Sequence, residues 1–132
     1  MSEEFEAIFE RLKSILVRCA DGLDATENER GEFGLAGPVG PATLAAWRGK
    51  MKHPRVAVAW VRAGKAYVSY HLMGLYMNPK LAAEVPAELR ARMQGKSCFN
   101  FKSLDGSPIA KLEKLTVRSI AAMRKGGFVG DS

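Results

Sequence analysis

The sequence predicts a single α+β domain whose antiparallel sheet carries the N- and C-terminal helices on one face. Three observations predict this: an apolar stripe at helical spacing near the start, two alternating runs around a short central turn, and a second helical stripe near the end. A chain of 132 residues suffices for one domain with a core. We therefore expect one domain over residues 1–132, with a frayed tail from about residue 126, where Gly126-Gly127 stops the last helix.

The first predicted element is a helix with Ser2 as its N-cap and acidic residues in its first turn. Its apolar stripe repeats at steps of three and four residues and comprises Phe5, Ile8, Phe9, Leu12, Ile15, Leu16 and Cys19. Asp21-Gly22 ends the helix. The polar residues 21–32 are predicted to be a solvated connection, and Phe33–Leu35 and Thr43–Trp47 to be short strands or irregular edges.

A hairpin over residues 55–73 is the clearest strand signal. A three-residue loop would place Trp60 on the core face, whereas a two-residue loop would slip the register and regroup the first strand. Tyr67, Ser69 and His71 share the other face in both cases, and that face is typical of a wet or ligand-facing sheet surface. With Tyr76 they could bind a small metabolite, or they could simply line a partly exposed face.

Two short helices, a strand and a long helix are predicted after the hairpin. Asn78-Pro79 begins the first short helix, the two meet at Pro86, and Gln94-Gly95 ends the second. A strand follows from Cys98 to Lys102, and Ser107-Pro108 opens the closing helix.

The two cysteines predict core packing rather than chemistry. Cys19 and Cys98 lie far apart, without CxxC spacing and among apolar neighbours, so we expect buried free thiols. The chain has two histidines and no nucleophile, nucleotide or zinc motif. We therefore expect neither an enzyme nor a resident cofactor.

The charges are unevenly distributed along the chain. Residues 1–32 carry nine of the 14 acids and four of the 20 bases. In the basic run 47–55, Arg48, Lys50 and Lys52 would project to one side of an extended chain and, with Arg55, could bind a polyanion such as nucleic acid or a nucleotide. A solvated loop that protects a sheet edge is the alternative.

The N-terminus and the hydropathy predict a cytoplasmic location without membrane contact. MSEEFEAIF is acidic where a signal peptide is basic, and no apolar run approaches the roughly 20 residues that span a bilayer. The oligomeric state is left open between a monomer and a homodimer.

Residues from about Arg55 to Ile120 resemble the small bacterial YdhG-like domains, some of which are regarded as frataxin-like. The residues that carry the resemblance are Lys96, Phe99, Phe101, Asp105, Pro108 and Ile109. The resemblance implies an α+β sandwich and a non-enzymatic binding or carrier role, with iron as the cargo in an iron-chaperone role.

The implied iron role directs attention to acids on the first helix. Glu3, Glu6 and Glu10 fall on one side of that helix, and hard cations prefer carboxylate oxygens. These three residues could hold iron weakly, but a solvated helix face explains them without any metal and is the favoured interpretation.

Overall fold

The computed structural model describes residues 3–46, 55–103 and 106–130. The helices within these ranges are α1 (Glu3–Arg18), α2 (Pro41–Ala46), α3 (Met73–Met77), α4 (Pro79–Ala83), α5 (Ala87–Arg90) and α6 (Gly106–Lys125). The strands are β1 (Asp24–Asn28), β2 (Glu32–Pro38), β3 (Arg55–Ala63), β4 (Val68–Leu72), β5 (Met93–Gln94) and β6 (Cys98–Phe101). All pairings are antiparallel, and the strands form one sheet in the order β1-β2-β3-β4-β6-β5.

The core lies between one face of this sheet and the two long helices. The stripe predicted for α1 is buried over Ile8, Leu12, Ile15 and Leu16, and α6 buries Leu112 on its own apolar side. The sheet contributes buried side chains from its inner face, among them Val58, Val61, Tyr70, Leu72, Phe99 and Phe101. The predicted α+β class, with both terminal helices covering one face, is confirmed.

The hairpin between β3 and β4 has the two-residue loop Lys65-Ala66. The Gly64 N–H donates to the Tyr67 carbonyl oxygen over 2.9 Å, which closes the turn around these two residues. Val61 therefore pairs with Tyr70, and Trp60 pairs with His71. Of the two registers left open by the sequence, this is the one that moves Trp60 to the face of His71, away from the core.

A bulge in β3 keeps the start of that strand in the core. Leu35 pairs with Ala59 while Ala36 pairs with Ala57, so Val58 is the extra residue on the bulged strand. Val58 and Ala59 are consequently both buried although they are adjacent. Without the bulge, strict alternation along β3 would place Val58 on the same outer face as Trp60.

Three segments differ from the sequence prediction. The polar connection contains the exposed edge strand β1, which is stabilised by pairing with β2 rather than by burial. Residues 43–46 belong to helix α2 and not to a strand, and Trp47 lies outside the described residues, as does Ser2. Met93 and Gln94 leave the helical pattern to pair with β6, since α5 already ends at Arg90.

The tail after α6 makes contacts that the sequence pattern does not reveal. Val129 is 2% exposed and bridges to Val39, and the Gly130 N–H donates to the Pro38 carbonyl oxygen over 2.8 Å. Residues up to Gly130 therefore contact the segment around Pro38 and Val39, and the fraying expected from about residue 126 stays a prediction. Separately, none of the helices within the described ranges is long and apolar enough to cross a membrane.

Candidate functional site: the open face of the sheet

Two ladders of side chains cross the face of the sheet opposite the helices. The first ladder pairs residues of five strands and runs Gly34, Trp60, His71, Cys98 and Gln94. The second lies one step nearer the hairpin loop and runs Glu32, Arg62, Ser69 and Asn100. Because side chains alternate between the faces of a strand, these groups point away from the core that their neighbours fill.

Trp60 and His71 form an aromatic stack at the centre of this face. Their ring centroids are 4.7 Å apart, and the ring planes differ by 12°. They are directly opposite each other on β3 and β4, which is the spacing at which cross-strand aromatic pairs interact. Both side chains are only partly buried, so the stack remains accessible from solvent.

A chain of polar side chains runs from this stack towards the β5 edge. His71 Nε2 lies 3.2 Å from Ser69 Oγ and 3.7 Å from Cys98 Sγ. The Asn100 amide nitrogen donates to Gln94 Oε1 over 2.8 Å. Tyr67 also reaches this oxygen, through its hydroxyl, over 3.4 Å. These contacts fix the positions of several hydrogen-bond donors and acceptors on the open face of the sheet.

The nearby thiol and imidazole are both held in their neutral forms. Burial lowers the pKa of His71 below its usual value, and the positive charge of Arg62 lowers it further against the opposing effect of Glu32. Burial raises the pKa of the Cys98 thiol. A thiolate–imidazolium pair needs both shifts in the opposite direction, so the surroundings favour the neutral thiol and the neutral imidazole.

An open groove of about 660 Å³ covers the hairpin half of this face. Its lining comprises Glu32, Trp60, Arg62, Gly64, Lys65, Ala66, Tyr67, Ser69, His71, Gln94 and Cys98. Three of these residues are aromatic or heteroaromatic, three are charged, and none carries a branched aliphatic side chain. The groove therefore offers ring surfaces, hydrogen-bonding groups and a small positive excess of charge.

The structure brings together three of the four predicted ligand-binding residues. Tyr67, Ser69 and His71 line the groove as predicted. Tyr76 does not, because the chain turns into α3 directly after β4 and carries this residue away from the open face. Its ring is exposed and lies 5.9 Å from Lys96 Nζ.

The cysteine prediction is correct in that neither thiol is paired, and it is wrong for burial, because both thiols are only half-buried. Both thiols are free. Cys19 is half-buried against the core, in keeping with its place on the α1 stripe. Cys98 is half-buried on the open face, because Phe99 and Phe101 take the inward positions of β6 and alternation turns Cys98 outward.

Three of the four predicted polyanion-binding residues lie in a segment that the structure does not describe. Arg48, Lys50 and Lys52 lie outside the described residues, so their projection to one side of the chain and their binding of a polyanion stay predictions. Arg55 is described at the start of β3, where it is exposed and forms an ion pair with Asp24 on β1. This pairing occupies Arg55 within the fold.

The predicted iron-binding acids do not form a metal site in the described part of the chain. Glu3, Glu6 and Glu10 are exposed on α1. Over residues 3–46, 55–103 and 106–130, no three His, Cys, Asp or Glu side chains come close enough to hold a metal ion together. The solvated helix face, the other interpretation of these three residues, accounts for their exposed carboxylates.

Sequence reasoning left Trp60 open between the two faces of the sheet. It missed several polar groups of the open face, among them Glu32, Arg62, Gln94, Cys98 and Asn100. The alternation of Cys98 and Asn100 with Phe99 and Phe101 could have predicted the outward position of the two polar residues. When two phenylalanines of a strand point into the core, the residues next to them point to the opposite face. No comparable signal pointed to Gln94, whose place depends on the short pairing of β5 with β6.

Together, fold and site define a class: an α+β domain with helices on one face of an antiparallel sheet and a half-buried aromatic–polar groove on the other. Comparison of the chain with family models, curated proteins and solved structures returns no match.

Proposed function

We propose that this protein is a non-enzymatic binding domain that holds a small molecule with a planar ring in the groove of its open sheet face. The observation that carries the proposal is the Trp60–His71 stack, which lies half-buried where the described helices leave the sheet uncovered. Aromatic side chains contribute large contact areas and favour planar partners in offset or edge-to-face packing.

The polar groups around the stack support small-molecule binding. Ligand sites combine ring or apolar surface with a few fixed hydrogen-bonding groups that set orientation. Here the amides of Gln94 and Asn100 are fixed by their mutual hydrogen bond, while the Gln94 amide nitrogen donates to no described residue. This nitrogen is available to a ligand carbonyl or ring nitrogen.

The protonation states favour binding over catalysis. His71 and Cys98 are both neutral near neutral pH, so neither supplies the charged partner that a thiol nucleophile requires. A neutral imidazole beside an indole instead adds ring surface and one hydrogen-bonding nitrogen. The resemblance to YdhG-like domains agrees with a carrier role, and we keep that membership as a proposal, with iron as cargo receiving no support from the α1 acids.

The test uses two neutral probes of similar size, 2-naphthylmethanol and its saturated decalin counterpart, followed by ¹H–¹⁵N NMR. We expect the aromatic probe to shift the backbone signals of Ser69 and His71 and the indole signal of Trp60, and the saturated probe to bind more weakly. Trp60→Leu should abolish these shifts. The matched control Tyr76→Leu removes an exposed ring outside the groove and should leave them intact. Absence of shifts, or shifts confined to the helices, would remove the proposal.

A further inference from the structure

We infer that the ligand of the open face is an anion, a planar ring bearing a carboxylate or phosphate group that pairs with Arg62. This inference rests on the proposed function and adds the charge of the ligand to it.

Arg62 stands beside the aromatic stack on the same face. It follows Trp60 by two residues on β3 and lies directly opposite Ser69 on β4. Two residues of strand span about 7 Å, a separation that the long and exposed Arg62 side chain can shorten by leaning towards the stack. A ring packed against Trp60 and His71 would therefore place an attached acid group within reach of the guanidinium.

The Arg62 guanidinium is free to accept an external anion. Arg18 and Arg118 form ion pairs with Glu113 and Glu84, whereas Arg62 is exposed and forms no ion pair with a described residue. Glu32 is its cross-strand partner but does not pair with it. A guanidinium presents several N–H donors in a fixed plane that suits carboxylate and phosphate oxygens.

The charges lining the groove favour an anion over a cation. Among the described residues of the lining, the charged side chains are Arg62, Lys65 and Glu32, so positive charge exceeds negative charge by one. Lys65 lies in the hairpin loop and also forms no ion pair with a described residue. The positive charge of Arg62 also acts on the aromatic stack, since it contributes to the lowered pKa of His71.

The experiment compares 2-naphthoate, neutral 2-naphthylmethanol and cyclohexanecarboxylate by calorimetry and NMR at low and moderate salt. We expect 2-naphthoate to bind roughly three- to tenfold more tightly than the neutral ring, as for one exposed charge-assisted contact. Added salt should shrink this advantage. Arg62→Gln should abolish it, and Arg62→Lys should retain part of it. Lys114→Gln removes the same charge from the exposed side of α6 and should preserve the advantage.

The outcomes separate this inference from the proposed function. Equal affinity for the charged and neutral rings would contradict the inference that the ligand is an anion. An equal loss of the 2-naphthoate advantage in Arg62→Gln and Lys114→Gln would contradict it as well. The proposed binding of a planar ring would stand in both cases. If cyclohexanecarboxylate binds as tightly as 2-naphthoate, the proposal that the groove prefers a planar ring is wrong, whereas the pairing of an anion with Arg62 stands. If no probe binds, both fail. Circular dichroism of each variant confirms that a lost affinity reflects the site rather than unfolding.

Discussion

The hydroxyl of Tyr70 lies 2.6 Å from the hydroxyl of Thr116, and both side chains are completely buried. Thr116 donates its proton to the Leu112 carbonyl oxygen over 2.8 Å, so Tyr70 is the donor to Thr116. This pair joins the central strand β4 to the middle of α6 through the core. Burial raises the pKa of Tyr70 far above its usual value, which keeps it a neutral donor.

Tyr70→Phe should lower the free energy of unfolding by about 1 kcal/mol, because one buried hydrogen bond is lost and the Thr116 oxygen loses its donor. Urea unfolding measures the change. Tyr67→Phe removes a hydroxyl from a half-buried side chain on the open face and should change stability much less. Equal stability of Tyr70→Phe and the unmodified protein would show that this contact contributes nothing.

Val129→Ala should lower the free energy of unfolding by about 2 kcal/mol, because a nearly fully buried side chain leaves a cavity in the tail contact. Val117→Ala is the matched control: Val117 is 55% exposed on α6, and alanine is the better helix former there. The control should be neutral or slightly stabilising. Similar effects of the two substitutions in thermal or urea unfolding would contradict the docking of the tail.

Gly74→Ala should destabilise the protein strongly, by about 2 kcal/mol or more, through overpacking. A Cβ at this position would lie 2.3 Å from Ser119 Oγ and 2.4 Å from the Ser119 carbonyl oxygen. The backbone oxygen cannot move away as a side chain can, so α3 and α6 would have to separate. Gly106→Ala meets no atom within 4 Å and should be neutral or stabilising, which the same unfolding experiment checks.

Acidification should destabilise the protein through His71. Its folded-state pKa lies below the ordinary value of 6.5, so the unfolded chain binds this proton more readily. The stability contribution is full above the unfolded pKa and is lost as the pH falls through the folded one. Urea midpoints measured from about pH 7.5 to about pH 5 should fall less steeply in His71→Gln. Identical slopes in the two proteins would exclude His71 as a source of this dependence.

Cys98 should react with a small thiol reagent more slowly than a free thiol near neutral pH, because burial raises its pKa. The measurement uses a Cys19→Ser background so that only one thiol reports. His71→Ala should leave the rate unchanged or raise it by opening the site. A marked slowing in His71→Ala would mean that the imidazole activates the thiol, and nucleophilic chemistry would then have to be reconsidered.

The sequence by itself determined the class of fold and most of the core. The α1 stripe from Ile8 to Leu16 and the alternation of Phe99 and Phe101 depend on local periodicity, which a chain carries without reference to its neighbours. The Asn78 cap is equally local: its side chain accepts the Leu81 N–H over 3.2 Å. Local signals also kept Tyr67, Ser69 and His71 on one face in either register.

Only the tertiary structure decided the composition of the open face. Trp60 reaches His71 because the hairpin loop has two residues rather than three, a difference of one residue that reverses every side chain of β3 beyond the bulge. The bulge at Val58 then restores the start of the strand to the core. Val129 is buried where it bridges to Val39, which is far away in the sequence. Pairing partners and registers depend on contacts between distant segments, and periodicity within one segment contains no information about them.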